Sequence, residues 1–152
     1  MLLTDLLKPD RIKIPLRSGT KDELLGELVE IVGRSGPVRD LAEVLRAVRE
    51  REEVLSTGIG NGVAIPHGKS AAMGELALAA GVKPEGIDFE ALDGRPVSVF
   101  FLLVGPESAA GQHVKALSRI SRLLRRDTFR DRLAAARSPE EFYEILAEAE
   151  AS

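Results

Sequence analysis

Residues 97–104 read Val-Ser-Val-Phe-Phe-Leu-Leu-Val, and this stretch decides the fold class of the chain. It is apolar at every position except Ser98, and Pro96 and Gly105-Pro106 bound it. A short run that is apolar on both faces is typical of a strand buried between two layers of helices, because each face contacts a hydrophobic layer. We therefore predict that residues 97–104 form a central strand of a sheet.

Segments on either side of this stretch predict further strands and helices. Alternating or short apolar runs predict strands at residues 12–14, 62–65 and 76–82. Helix starts are predicted where a small polar residue is followed three positions later by glutamate, a pattern that satisfies free N–H groups at a helix terminus. The three pairs are Thr20/Glu23, Asp40/Glu43 and Ser138/Glu141.

Apolar residues recur at helical spacing after each of these starts, and the first helix is expected to end near Gly33, Gly36 and Pro37. Two more helices are predicted at residues 110–126 and 128–135. Strands interleaved with helices predict a three-layer α/β domain with helices on both faces of the sheet. The length of 152 residues fits a single domain over residues 1–152.

Composition excludes several classes of function. The net charge of −3 disfavours nucleic acid as a partner. The chain has no cysteine, which excludes disulfides, thiolate metal sites and thiol nucleophiles. No apolar run approaches the roughly 20 residues that cross a bilayer, and the start of the chain lacks the layout of a secretory signal. We therefore predict a cytoplasmic protein without membrane insertion.

Residues 56–69, Ser-Thr-Gly-Ile-Gly-Asn-Gly-Val-Ala-Ile-Pro-His-Gly-Lys, contain the candidate chemical group. The glycine spacing is neither the dinucleotide fingerprint nor a P-loop, so nucleotide binding is disfavoured. The glycines either permit a close backbone approach or turn the chain. Pro66 fixes its own backbone and Gly68 adds no bulk, so His67 is presented at a strand end.

Histidine can act as a nucleophile at neutral pH, because the neutral imidazole predominates above a pKa of roughly 6.5 and keeps a lone pair on one ring nitrogen. Phosphoryl transfer then needs in-line positioning and donors for the phosphoryl oxygens. The second histidine, His113, follows Gly111 and Gln112 at the predicted start of a helix. Two histidines beside glycines at element boundaries suggest a pair.

The segment STGIGNGVAIPHG, residues 56–68, is similar to the phosphoacceptor motif of a known family. That family comprises the enzyme IIA domains of the fructose/mannitol class in the bacterial phosphoenolpyruvate-dependent phosphotransferase system, with their nitrogen-related regulatory branch. The resemblance implies a mixed five-stranded sheet covered by helices on both faces. It extends to Arg51-Glu52-Glu53, to LLVGPES at residues 102–108, and to His113 with Leu117 and Ser118.

The resemblance also implies a function, that of a phosphotransferase that carries a phosphoryl group on His67 through Nε2. His113 and Arg51 match the positions that support this group. Family members accept phosphate from a histidine-containing phosphocarrier protein, and no cofactor or metal is implied. Sugar-transport members pass the phosphate to an enzyme IIB cysteine, whereas regulatory members bind target proteins. We favour the nitrogen-related regulatory role, because the chain has no fused IIB cysteine and no membrane segment.

Several alternatives stay open. The chain could be a sugar-specific IIA, or a binding module that is never phosphorylated; a metal-dependent hydrolase using both histidines is disfavoured, since no H-E-x-x-H pattern is present. Arg51 could belong with Arg46 and Arg49 to a solvated helix face. A homodimer is also left open.

The predicted helix at residues 110–126 carries a basic face, which comprises Lys115, Arg119, Arg122 and Arg126. This face is either a solvated stripe of charges or a docking surface for an acidic partner.

Overall fold

The computed structural model describes residues 2–35 and 38–151. Within these ranges, the helices are α1 (Leu3–Leu6), α2 (Lys21–Ser35), α3 (Leu41–Val54), α4 (Ala110–Leu123), α5 (Asp127–Ala134) and α6 (Pro139–Ala151). The strands are β1 (Ile12–Lys13), β2 (Gly58–Gly60), β3 (Val63–Ala64), β4 (His67–Lys69), β5 (Ala77–Ile87) and β6 (Val97–Gly105). Short 3-10 helices lie at Pro9–Arg11 and Glu107–Ala109.

All these strands belong to one mixed sheet in the order β1-β5-β6-β3-β2, with β4 also paired to β6. Strand β6 is antiparallel to β5 and parallel to both β3 and β4. Val63 of β3 lies opposite Val99, and His67 of β4 lies opposite Leu103. Strands β3 and β4 therefore follow one another along the same side of β6, so the sheet is five strand positions wide. This confirms the mixed sheet and the central place of residues 97–104.

Helices cover both faces of the sheet, as predicted. Val99, Phe101 and Leu103 of β6 pack in a cluster with apolar residues of α1, α4, α5 and α6. Phe100 and Leu102 point to the opposite face and pack with α2 and α3. Because both faces of β6 are removed from water, its apolar run contributes burial energy on both sides, at roughly 25 cal/mol per Å².

The predicted helix starts are confirmed by their capping bonds. The side-chain oxygens of Thr20, Asp40 and Ser138 accept hydrogen bonds from the backbone N–H three residues later, at 3.2, 3.3 and 3.1 Å. Each bond satisfies one of the free donors of a first helical turn. Gly36 and Pro37, expected to end α2, lie outside the described residues.

Two boundaries differ from the prediction. Helix α4 ends at Leu123 rather than near Arg126, and Arg126 instead immediately precedes α5. Strand β5 continues past Val82 to Ile87, which lies opposite Val97 after a register shift. Gly86 has a φ of +75° in this segment, a conformation that glycine adopts without a steric penalty. The extension was not predicted because Pro84 lies within it, and proline argues against a strand.

Within the described residues, no helix is both long enough and apolar enough to cross a membrane.

Candidate active site

The glycines of the motif shape the chain rather than a ligand pocket. Gly60, Asn61 and Gly62 all have positive φ angles, of 99°, 59° and 79°, and form the tight turn between β2 and β3. Val99 N donates to Gly62 O, so this turn lies beside the start of β6, whereas His67 pairs with Leu103 further along. The turn therefore lies at the far end of the strand pair from the histidine.

Gly58 provides the close backbone approach that the sequence suggested, but the neighbour is the chain itself. A Cβ at this position would lie 2.7 Å from the Cβ of Ala91. The same contact is reinforced by Leu92 N, which donates to Gly58 O at 3.0 Å. The glycine-rich segment is thus held against residues 91–92.

His67 opens strand β4 directly after Pro66, and Gly68 lets that strand run against helix α3. A Cβ on Gly68 would lie 3.1 Å from Val48 N and 3.2 Å from Ala47 C, both backbone atoms of α3. The half-buried His67 ring is held by its Nδ1, which is 2.9 Å from Ile65 O. A carbonyl oxygen only accepts, so Nδ1 carries the hydrogen and the lone pair lies on Nε2.

His113 lies in the first turn of α4 with only 2% of its surface exposed. Its ring centroid is 5.8 Å from that of His67, and the two planes meet edge to face at 67°. The structure therefore brings the two histidines together. Nδ1 of His113 is buried and has no hydrogen-bond partner among the described residues.

Both imidazoles are held in the neutral form. Burial, with smaller effects of His67 and Lys69, lowers the pKa of His113 to about 4. Burial also lowers the pKa of His67, helped by the charges of Arg51 and Lys69 and opposed by the bond to Ile65 and by the charge of Glu52. A neutral His67 is the form that has a nucleophilic lone pair at physiological pH.

Arg51, in the last turn of α3, differs from the two arginines that precede it. Arg46 is paired with carboxylates of its own helix face, and Arg49 is paired with Asp22 of α2. Arg51 instead donates from Nη1 to Leu55 O at 2.9 Å, and its charge reaches His67. The guanidinium of Arg51 thus bonds to the backbone of the segment after α3, whereas Arg46 and Arg49 are held in surface ion pairs.

Sequence reasoning assigned no role to Glu52, which is 6% exposed beside this site. Its carboxylate accepts hydrogen bonds from Thr57 N at 2.9 Å and from Thr57 Oγ1 at 2.5 Å. Lys21 Nζ lies 2.9 Å from Glu52 Oε2 and offsets its charge. One signal in the sequence points to this burial, because position 52 continues the helical stripe of Val44 and Val48.

The basic face predicted on α4 is divided by the structure. Arg119 Nε lies 2.8 Å from Glu150 Oε2, and the same carboxylate accepts bonds from Leu3 N and Thr4 N. Arg119 therefore ties α4 to α6 and to the start of α1. Arg126 lies beyond the end of α4, so Lys115 and Arg122 are the members of the set on the outer groove of this helix.

Comparisons with known proteins identify the family. Residues 5–149 match the family model described as phosphoenolpyruvate-dependent sugar phosphotransferase system, EIIA 2. A nitrogen regulatory protein of Bradyrhizobium diazoefficiens is 39% identical over 151 residues, covering 97% of this chain and 95% of the relative. The fructose-specific EIIABC component of Bacillus subtilis is 37% identical over 146 residues, covering 96% of this chain.

This chain spans only 23% of the length of the Bacillus component. Among solved structures, the nitrogen regulatory protein IIA-Ntr from Neisseria meningitidis superposes with a TM-score of 0.86 at 33% identity. The superposition covers 95% of this chain and 98% of that one. These matches confirm the family that the motif at residues 56–68 indicated.

Proposed function

This chain belongs to the EIIA 2 family of the phosphoenolpyruvate-dependent sugar phosphotransferase system, and from that premise we propose that it carries a phosphoryl group on Nε2 of His67. The donor is a histidine-containing phosphocarrier protein. The observation that supports this most directly is the bond between His67 Nδ1 and Ile65 O at 2.9 Å, since it directs the lone pair to Nε2. The ring is only half-buried, which leaves it accessible to a docked donor.

The transfer step is an in-line displacement at phosphorus. The Nε2 lone pair forms a P–N bond while the P–N bond of the donor's phosphohistidine breaks, and that electron pair returns to the donor's ring nitrogen. The proton on Nδ1 stays in place, so the phosphorylated ring is cationic and Ile65 O stabilises it. A cationic ring is also a good leaving group for transfer to the next acceptor.

His113 and Arg51 supply the groups that stabilise the phosphoryl oxygens. A neutral imidazole carries one N–H donor, and the His113 ring lies within 5.8 Å of the His67 ring, centroid to centroid. The guanidinium of Arg51 has five N–H donors in a planar fork, which suits phosphoryl oxygens. His113 also lies in the first turn of α4, where the partial positive charge of a helix N-terminus favours an anion.

The downstream role that we propose is regulatory and nitrogen-related. Support comes from the Bradyrhizobium nitrogen regulatory protein, because it matches this chain over nearly the whole of both lengths. The fructose-specific relative supports the second candidate, sugar uptake, in which the phosphoryl group passes on to an enzyme IIB cysteine.

The first test is phosphorylation by the donor system. Incubation with enzyme I, the phosphocarrier protein and phosphoenolpyruvate is expected to add one phosphoryl group, measured by intact-protein mass spectrometry. His67→Ala is expected to abolish the addition, because the neighbouring imidazole of His113 is only 2% exposed and a docked donor cannot reach it. Equal labelling of wild type and His67→Ala would reject the site. An unlabelled wild type would favour a module that only binds.

A second test separates the two roles. The phosphorylated protein is mixed with a fructose-type enzyme IIB domain, and the label on the IIB cysteine is followed over time. Rapid transfer favours sugar uptake. Label that stays on His67, together with target binding that differs between wild type and His67→Ala, favours regulation.

A further inference from the structure

Glu52 is a buried carboxylate that the phosphoryl step itself does not use. It is 6% exposed, and its two oxygens accept both polar hydrogens of Thr57, on N and on Oγ1. Lys21 Nζ, 2.9 Å from Oε2, provides the opposite charge that such burial requires. The carboxylate thus holds the segment after α3 to the end of that helix.

Thr57 passes this restraint to the histidine through the backbone. Thr57 is 5% exposed, and its carbonyl accepts a hydrogen bond from Ile65 N at 3.0 Å. The carbonyl of Ile65 in turn accepts a hydrogen bond from Nδ1 of His67. Pro66 O accepts from Leu103 N at 3.0 Å, so the next peptide, between Pro66 and His67, is also held. The orientation of Ile65 O therefore depends on Thr57 on one side and on β6 on the other.

We infer that Glu52 and Thr57 are positioning residues for His67, because they hold Ile65 so that its carbonyl selects the tautomer with the hydrogen on Nδ1 and the lone pair on Nε2. Neither residue needs to touch the phosphoryl group. Their effect on transfer rests on the function proposed above, whereas their effect on the tautomer does not.

The chain offers a matched control in Glu27. This carboxylate is also buried, accepts from the backbone N–H groups of Arg17 and Ser18, and lies 2.6 Å from Lys13 Nζ. Lys13 belongs to β1, which is separated from β4 by β5 and β6. Glu27→Gln therefore makes the same chemical change in a similar setting, but away from His67.

The test uses the full chain with Thr57→Val, Thr57→Ser, Glu52→Gln and Glu27→Gln. Ring ¹⁵N chemical shifts report the tautomer of His67 without any donor protein, and single-turnover labelling reports transfer. We expect wild type and Thr57→Ser to show the Nδ1–H tautomer. Thr57→Val, which loses the hydroxyl at nearly constant volume, is expected to mix the tautomers and to slow transfer by about tenfold to a hundredfold.

Glu52→Gln keeps one acceptor oxygen and is expected to show a smaller change of the same kind, whereas Glu27→Gln is expected to leave tautomer and rate at wild-type values. Melting temperatures are measured for every variant, so that rates are compared for folded protein. The inference is overturned if Thr57→Val and Glu52→Gln keep both the wild-type tautomer and the wild-type rate. If wild type itself is not labelled, the proposed function fails, and the ¹⁵N spectra still decide the positioning role.

Discussion

The strand that carries His67 and the helix that carries His113 place the same side chain in opposite settings. On β4 the ring is half-buried and is held by Ile65 O through Nδ1. On α4 the residue is only 2% exposed, and the Nδ1 of its ring has no partner within the described residues. One ring has a defined tautomer and access to solvent, and the other has neither.

This difference accounts for two different tasks. A nucleophile needs an accessible lone pair on a known atom, which the strand provides. A supporting donor needs to remain neutral and fixed close to the transferred group, which burial in the helix provides. The different settings of the two rings therefore support our proposal that His67 is the nucleophile and His113 the supporting donor, rather than two interchangeable ligands.

The largest expected effect that tests this division is on transfer in His113→Ala. Losing a preorganised donor to the phosphoryl oxygens is expected to slow single-turnover labelling by about 10²-fold, while His67 still accepts one phosphoryl group. His113→Gln, which retains an N–H donor, is expected to recover part of the rate. Labelling of His113→Ala at the wild-type rate would show that the support role is wrong.

The next effect concerns stability against pH. In the folded protein the pKa of His113 is about 4, below its ordinary 6.5, so the folded state binds fewer protons than the unfolded state between these values. The contribution of neutral His113 to the free energy of unfolding is therefore fully present above pH 6.5. It is lost as the pH falls towards 4, and its size is on the order of 3 kcal/mol. Urea unfolding at several pH values measures it, and His113→Gln is expected to reduce the slope in this window to the part that the lowered pKa of His67 contributes.

Glu27 provides the control for that measurement, because its window lies lower. Burial alone would raise the pKa of Glu27, but bonds from Lys13, Arg17 and Ser18 together lower it from 4.5 to about 2. Its contribution is present above pH 4.5 and is lost as the pH falls towards 2. Glu27→Gln should thus leave the slope between pH 6.5 and 4.5 unchanged, and a loss of that slope would contradict the assignment to His113.

The smallest effect contrasts a glycine beside each histidine. Gly68→Ala would place a Cβ 3.1 Å from backbone of α3, and we expect a loss of about 1 kcal/mol in the free energy of unfolding. Gly111→Ala would place a Cβ in open space on α4, and we expect a gain of about 0.5 kcal/mol from helix propensity. Thermal melts measure both changes. A Gly68→Ala variant at least as stable as wild type would show that the strand is not held against α3 as described.

Most of the regular structure could be predicted because its signals are local. Helix starts at residues 20, 40 and 138 follow from capping bonds between residues three apart, and β6 follows from its continuous apolar run. Strands β2 and β4 were not predicted, because three-residue strands with glycine have too few side chains to show a period. They exist because neighbouring strands provide their hydrogen bonds.

The sequence by itself determined the α/β class and the presentation of His67, since Pro66 and Gly68 act on the backbone next to them. Only the tertiary structure decided that His113 meets His67, that Arg46 and Arg49 are held in ion pairs while Arg51 bonds to Leu55 O, and that Glu52 is buried against Thr57. The physical reason is that tautomer, charge state and burial depend on contacts between segments far apart in the chain. No spacing along the sequence encodes those contacts.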